Sequence, residues 1–221
     1  MFNLTFDEGA YERGFTLLSS SMRVNGPSYP TSAQVCELAA LAWYEMGDKL
    51  RTDDKHSITN RSKPRALTIL QWRDQLHVSS SVKGGGDTSW IDQTLPTNEP
   101  FTLLRKALQE SGIDPPASHR NQASCGEMLA LHQWAVRSCA GTFRNLGSGS
   151  EYLLVTVGEE GRGQEKTLTV KRPCYGQPRG GCEQVLAHLG LSFLYACEEP
   201  SIHQETRMIN LVDHSHWGIF G

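Results

Sequence analysis

Four side chains of this 221-residue chain stand out for the chemistry their types permit: Cys125, Glu127, Cys174 and Cys182. A thiolate is a nucleophile and a soft metal ligand, and a carboxylate can carry protons. Cys125 and Glu127 form a Cys-x-Glu pair, which on a helix sets the carboxylate about half a turn beyond the sulfur. Cys174 follows Pro173, and Cys182 comes after the seven residues YGQPRGG. Cys-x-Glu alone arises often by chance, whereas Pro-Cys followed by a second Cys at a helix start is more specific. Two plainer readings stand beside a catalytic one. The sulfurs could be a buried trio of thiols with Glu127 at the surface, or they could hold a structural zinc. A structural site would close with a fourth ligand, and none sits at matching spacing.

The elements that must position these groups can be read from periodicity and punctuation. After the turn-rich NGPSYPTS, Ser32 is expected to cap a helix running to about Leu50, with Val35, Leu38, Ala39, Ala42, Trp43 and Met46 on its apolar face. Residues 66–72 and 75–82 read as two strands turning at Arg73 and Asp74. Residues 84–99 read as an exposed connection, and Gly84, Gly85 and Gly86 lack the Lys-Ser/Thr of a phosphate loop. Residues 101–111 predict a short helix, stopped by Gly112 and Pro115–Pro116. Met128, Leu131, Ala135 and Val136 predict a helix over 126–138. EYLLVTV and KTLTV are strands around a glycine-rich GEEGRG, CEQVLAH is a helix ended by Gly190, and LSFLYA is a last strand. The first thirty residues are weakly patterned. Cys36, Cys139 and Cys197 lie on apolar faces and read as small core residues.

Taken in that order, SCGEMLAL resembles the Cys-x-Glu helix of the cytidine deaminases, and PCYGQPRGGCEQVL resembles their Pro-Cys…Cys helix start. The resemblance covers about residues 32–198 of one domain spanning 1–221. It implies an α/β fold of three layers, a mixed sheet of about five strands with helices on both faces. It also implies Zn2+ held by Cys125, Cys174 and Cys182, with Glu127 shuttling protons between water, ring nitrogen and leaving ammonia. Three thiolates make an anionic site, which opposes ionisation of water. Helix N-termini behind Cys125 and Cys182 would offset this. The family places fewer residues between its last two cysteines than the seven found here. A Gly- and Pro-rich loop can bulge and keep both sulfurs together; otherwise His188 or another donor takes the place of Cys182.

The implied reaction is hydrolytic deamination of cytosine to uracil. Candidate substrate-binding residues are Asn60 and His56 in the loop before the first strand, His119, Asn121 and Ser124 before Cys125, and Tyr175 as a stacking residue. A solvated loop is the plainer reading of Asn60 and His56. His203, His214 and His216 read as surface residues. The first expectation for substrate is cytosine in nucleic acid, DNA before RNA and single- or double-stranded. It rests on length, on the basic segments 55–65 and 162–179, and on several Trp residues. This resembles the toxin or effector deaminases, which implies delivery within a larger protein and an immunity or targeting partner. A free cytidine or deoxycytidine deaminase is the alternative, favoured by the acidic net charge and by CEQVL. A non-catalytic interaction domain with structural cysteines is the third.

Composition bounds these readings. Hydrophobic residues make up 38% of the chain, enough for one good core, and 20% charged residues argue against global disorder. A net charge of −3 excludes a broad basic coat for nucleic acid but leaves room for a local basic groove. No run approaches the ~20 apolar residues of a membrane span, and MFNLTFDEGAYERG lacks the pattern of a secretory leader. Six scattered Cys in a chain with its own core predict reduced thiols and a cytoplasmic setting.

Overall fold

A two-residue turn organises the centre of the molecule. Arg73 adopts φ +57°, so the chain reverses at Arg73–Asp74 and residues 67–72 pair with 75–80 in a tight antiparallel hairpin. The computed structural model describes residues 2–25, 29–84, 90–93, 99–114, 119–138, 143, 152–161, 166–175, 180–191, 193–194 and 211–213. Within them the chain runs β1 (Thr5–Phe6), α1 (Glu8–Glu12), β2 (Phe15–Thr16), β3 (Leu18–Val24), α2 (Ser32–Thr52), β4 (Leu67–Trp72), β5 (Gln75–Ser80) and β6 (Lys83–Gly84). It continues through α3 (Trp90–Gln93), α4 (Glu99–Glu110), α5 (Gly126–Ser138), β7 (Tyr152–Glu160), β8 (Thr167–Lys171), α6 (Cys182–His188), β9 (Phe193–Leu194) and β10 (Leu211–Asp213).

Six strands form an antiparallel run in the order β1-β3-β5-β4-β7-β8. β10 shares the β3 edge with β1, and β9 lies parallel to β7 beside its N-terminal half. The sheet is therefore mixed and wider than the five strands expected. The added strands are β1 and β3 from the first thirty residues, with β3 inserted between β1 and β5, and β10 near the C-terminus. The β3 sequence, LSSSMRV, carries three serines in a row, which hide the alternation of a strand. The two buried ones have specific partners: Ser20 Oγ donates to the Phe2 carbonyl (2.6 Å), and Ser21 Oγ bonds His77 Nδ1 (3.1 Å).

Side-chain alternation sorts the strands onto two cores. Leu67, Ile69, Leu76, Val78, Val155 and Val157 pack with Val35, Leu38, Ala39, Ala42 and Met46 of α2. Leu70 and Leu154 point the other way, into a core built by α4, α5 and α6. Helices thus cover both faces. Helix α2 starts one residue earlier than expected, because Thr31 and not Ser32 is the cap. Thr31 Oγ1 accepts the Gln34 N–H while Gln34 Oε1 accepts the Thr31 N–H, a reciprocal capping box. Cys36 is buried in the α2 core as expected; Cys139 and Cys197, like His203, His214 and His216, lie outside the described residues.

Two further expectations change. The segment read as an exposed connection contains α3, whose Trp90 and Ile91 are buried, with Trp90 Nε1 donating to the Ala123 carbonyl at 2.7 Å. A buried indole needs such an acceptor, and this one ties α3 to the loop before Cys125. Helix α5 is buried on every side from Gly126 to Ala135 and not along a single stripe, as a helix enclosed between a sheet and a second helix must be. Among the described residues no helix is long and apolar enough to cross a membrane.

Burial of His77 under α5 has a measurable consequence. Its folded pKa is pushed down to about 3, chiefly by burial and further by Arg137, against ~6.5 in an unfolded chain. The folded state therefore holds the neutral ring, and this contribution is complete above pH ~6.5 and lost as pH falls from there toward 3. Urea unfolding is expected to show declining stability across that window in the wild type and a shallower decline in His77→Gln. Parallel pH slopes for the two proteins would refute it.

Candidate metal centre

The loop entering α5 is held in an uncommon shape. Gln122 and Ala123 both adopt left-handed φ, +52° and +56°, which costs of order 1 kcal/mol or more for each non-glycine residue. Fixed bonds hold this shape in place: Val82 N–H to the Ser124 carbonyl (3.0 Å), Ser124 N–H to the Asn121 carbonyl (2.8 Å) and Arg120 N–H to the Gly180 carbonyl (2.7 Å). The chain then enters α5 at Cys125, whose carbonyl accepts the N–H groups of Met128 and Leu129. Cys125 is thus aimed from a helix start, as expected.

Cys174 follows β8 and Cys182 is the first residue of α6, after the N-cap Gly181. The two cysteines do lie together, the Cys182 N–H donating to Cys174 Sγ at 3.2 Å, while residues 176–179 of YGQPRGG lie outside the described residues. Cys125 Sγ lies 3.6 Å from Cys174 Sγ. His119 Nε2 completes the group, 3.6 Å from the Cys174 sulfur and 3.5 Å from the Cys182 sulfur. All four donor atoms lie within 4.8 Å of one another. A zinc tetrahedron with Zn–S of 2.3 Å and Zn–N near 2.05 Å has edges of about 3.8 Å between sulfurs and about 3.6 Å from sulfur to nitrogen. The donor set and its spacing therefore suit a divalent metal of the zinc kind. His119 is the fourth group that sequence spacing did not offer, and His188, the other donor considered, instead faces Glu110 at 3.4 Å.

Glu127 stands beside the sulfurs. Its Oε2 lies 3.7 Å from Cys182 Sγ, and its Oε1 accepts the Thr156 hydroxyl at 2.9 Å. Thr156 in turn bonds Thr68 at 2.8 Å, so the carboxylate is anchored to neighbouring strands β4 and β7. Glu127 is only 4% exposed, which removes the reading of it as a surface residue. Burial raises its pKa. Within the sulfur group, hydrogen bonds from Cys125, then from Cys182, pull the Cys174 pKa far down. Cys125 is raised by that same bond to Cys174, and Cys182 by burial. A cation among the sulfurs would draw all of these toward ionisation.

The other candidates divide. Asn121 joins the cluster, its Nδ2 donating to Cys125 Sγ at 3.2 Å. Ser124 contributes backbone bonds that shape the loop. Tyr175 is 56% exposed next to Cys174, with the Arg172 guanidinium 5.9 Å from its ring and Arg120 Nη1 bonded to its carbonyl at 2.8 Å. Among the described residues, His56 and Asn60 make no hydrogen bond to the sulfurs. His56 is buried against Phe6 and Tyr11, bonds Asp53 at 2.9 Å and faces Glu8 at 3.3 Å. Asn60 is exposed in the turn closed by Thr59 and Ser62. Thr68 and Thr156 had no sequence signal, since threonine in a strand is ordinary.

Gly126 explains how Glu127 comes so close to the sheet. A Cβ there would lie 2.5 Å from Thr68 Oγ1 and 3.1 Å from the Ser79 carbonyl. Gly126→Ala is expected to cost about 1–3 kcal/mol by overpacking and to displace the hydroxyl pair that holds Glu127. Thermal unfolding with a parallel zinc titration checks it, and an unchanged melting temperature would count against the packing described.

No family model matches the chain, and neither does any curated protein or solved structure.

Proposed function

We propose that the chain is a zinc-dependent hydrolytic deaminase of the cytidine-deaminase type, converting cytosine to uracil in nucleic acid, with DNA the first substrate to test. The observation that carries this reading is the Glu127 carboxylate, buried and anchored 3.7 Å from a sulfur of a three-cysteine cluster. A metal that merely staples a fold has no use for a buried carboxyl group beside it, and burying one is costly. When bound, zinc supplies a Lewis acid that lowers the pKa of water. The chain's own residues do the rest. Glu127 takes a proton from the attacking water and returns protons to the ring nitrogen and the departing amine. A C–O bond forms at the ring carbon bearing the amine and the C–N bond breaks, so one water enters and one ammonia leaves. The raised pKa of Glu127 supports this role, because a proton carrier works best when its pKa approaches the working pH.

Tyr175, exposed and with Arg120 at its side, supports a substrate that carries both a base to stack and a phosphate to neutralise. A second reading has its own observation. With His119 as fourth donor the site closes, and a closed site is the mark of a structural zinc.

Incubation with cytidine, single-stranded DNA, duplex DNA and RNA, followed by a count of uracil, separates these. Uracil in DNA is the expected result, and Tyr175→Ala is expected to weaken oligonucleotide binding about tenfold, the loss of roughly one stacked base. Uridine from cytidine alone would redirect the reading to a nucleoside enzyme. Zinc at one per chain with no product from any substrate would favour the structural site.

A further inference from the structure

We infer that His119 is a hydrogen-bond donor to the sulfur cluster and not its fourth ligand, so that one position on the metal stays open. The deciding contact is on the far side of the ring, where His119 Nδ1 faces the backbone N–H of Asn121 at 3.2 Å. A backbone amide can only donate, so Nδ1 must accept. A neutral imidazole has one N–H and one lone pair. With the Nδ1 lone pair engaged, the proton sits on Nε2, the atom directed at Cys174 and Cys182. A histidine that binds metal through one nitrogen shows the opposite arrangement, its other nitrogen donating to a carboxylate, a carbonyl or water. The separations of 3.5 and 3.6 Å from Nε2 to the sulfurs are those of an N–H group pointing at thiolates, although distance alone would also admit ligation.

The surrounding donors make chemical sense of this tautomer. Each of the three sulfurs receives an N–H: Cys125 from Asn121 Nδ2 at 3.2 Å, Cys174 from the Cys182 amide at 3.2 Å and from His119, and Cys182 from His119. Three thiolates on a dication leave a net negative charge, which weakens the metal as a Lewis acid. N–H donors draw electron density from the sulfurs and restore it. Asn121 acts twice, its side chain on Cys125 and its main chain on the histidine tautomer. The left-handed backbone at Gln122 and Ala123 is the local cost of presenting both groups from one short loop. His119 is thus a positioning residue, and the consequence for water activation rests on the deaminase reading, while the ligand set does not.

X-ray absorption at the zinc edge of the full chain, joined to cobalt substitution, tests it. The expected wild-type spectrum has three sulfurs and one lighter atom without the outer-shell scattering of an imidazole. His119→Gln, which keeps an N–H donor, is expected to hold one zinc per chain. In the cobalt protein, His119→Ala is expected to move the sulfur-to-metal charge-transfer band to longer wavelength, and His119→Gln to move it most of the way back. Imidazole scattering in the wild type, loss of zinc from His119→Gln, or a band indifferent to position 119 would overturn the inference while leaving the deaminase reading to its own uracil count. A wild-type chain that takes up no zinc would overturn both.

Discussion

Glu127→Ala is expected to cut uracil formation by about 10²–10⁴-fold, the usual contribution of a positioned proton carrier, with zinc still bound at the wild-type ratio. The two halves of that result come from different contacts. The metal would be held by sulfurs presented from the α5 start, the segment after β8 and the α6 start, none of which needs the carboxylate. The proposed proton chemistry would depend on Glu127, the carboxyl group that lies against the sulfurs among the described residues. Glu127→Gln sharpens the test. It retains the acceptor for the Thr156 hydroxyl and nearly the same volume, yet cannot carry a proton. Because burial raises the pKa of Glu127, ionising it in the fold costs free energy that a neutral amide does not incur. The glutamine variant is therefore expected to lose activity as fully as the alanine variant while melting, in the metal-free form, at or above the metal-free wild-type temperature. Wild-type deamination by either variant would end the assignment.

Stripping the metal with a chelator is expected to lower the melting temperature by about 10 °C. A ligand present at about a thousandfold over its dissociation constant, and bound only by the folded state, stabilises by ~4 kcal/mol. A chain of this size moves by roughly 2–4 °C per kcal/mol. The effect is large because the cluster draws together three pieces far apart in sequence, the strained 119–125 loop, the central buried helix α5 and the short helix α6, and reinforces the core they already share. Cys174→Ser should reproduce the loss without a chelator. Cys36→Ser, in the separate core beneath α2, should leave zinc content untouched. Equal melting temperatures for stripped and zinc-loaded protein would mean that the sulfurs bind no metal of consequence.

The sequence alone carried the parts of this protein that are local. Helix α5, the hairpin at Arg73–Asp74, the strands β7 and β8 and the start of α6 follow from periodicities of 3.6 and 2 and from turn residues acting within a few positions. Cys125, Glu127, Cys174 and Cys182 were legible for a related reason, since their chemistry is carried in their residue types. β3 was not legible, because its buried serines Ser20 and Ser21 are satisfied by Phe2 and His77 and not by local pattern. Nor was α3, whose buried Trp90 depends on a carbonyl 33 residues away.

What only the tertiary structure decided is which groups meet. His119 reads along the chain as one polar residue among several in a loop. Its place against the sulfurs of Cys174 and Cys182, 55 and 63 residues on, is set by how that loop and α6 pack around α5. The turn that hands it the Asn121 amide, and with it a tautomer, is a matter of backbone dihedrals that no residue type in SHRNQAS requires. Spacing along a chain constrains neighbours within a turn or two; beyond that, contact is a property of the packed whole, and the charge and coordination of this centre are decided there.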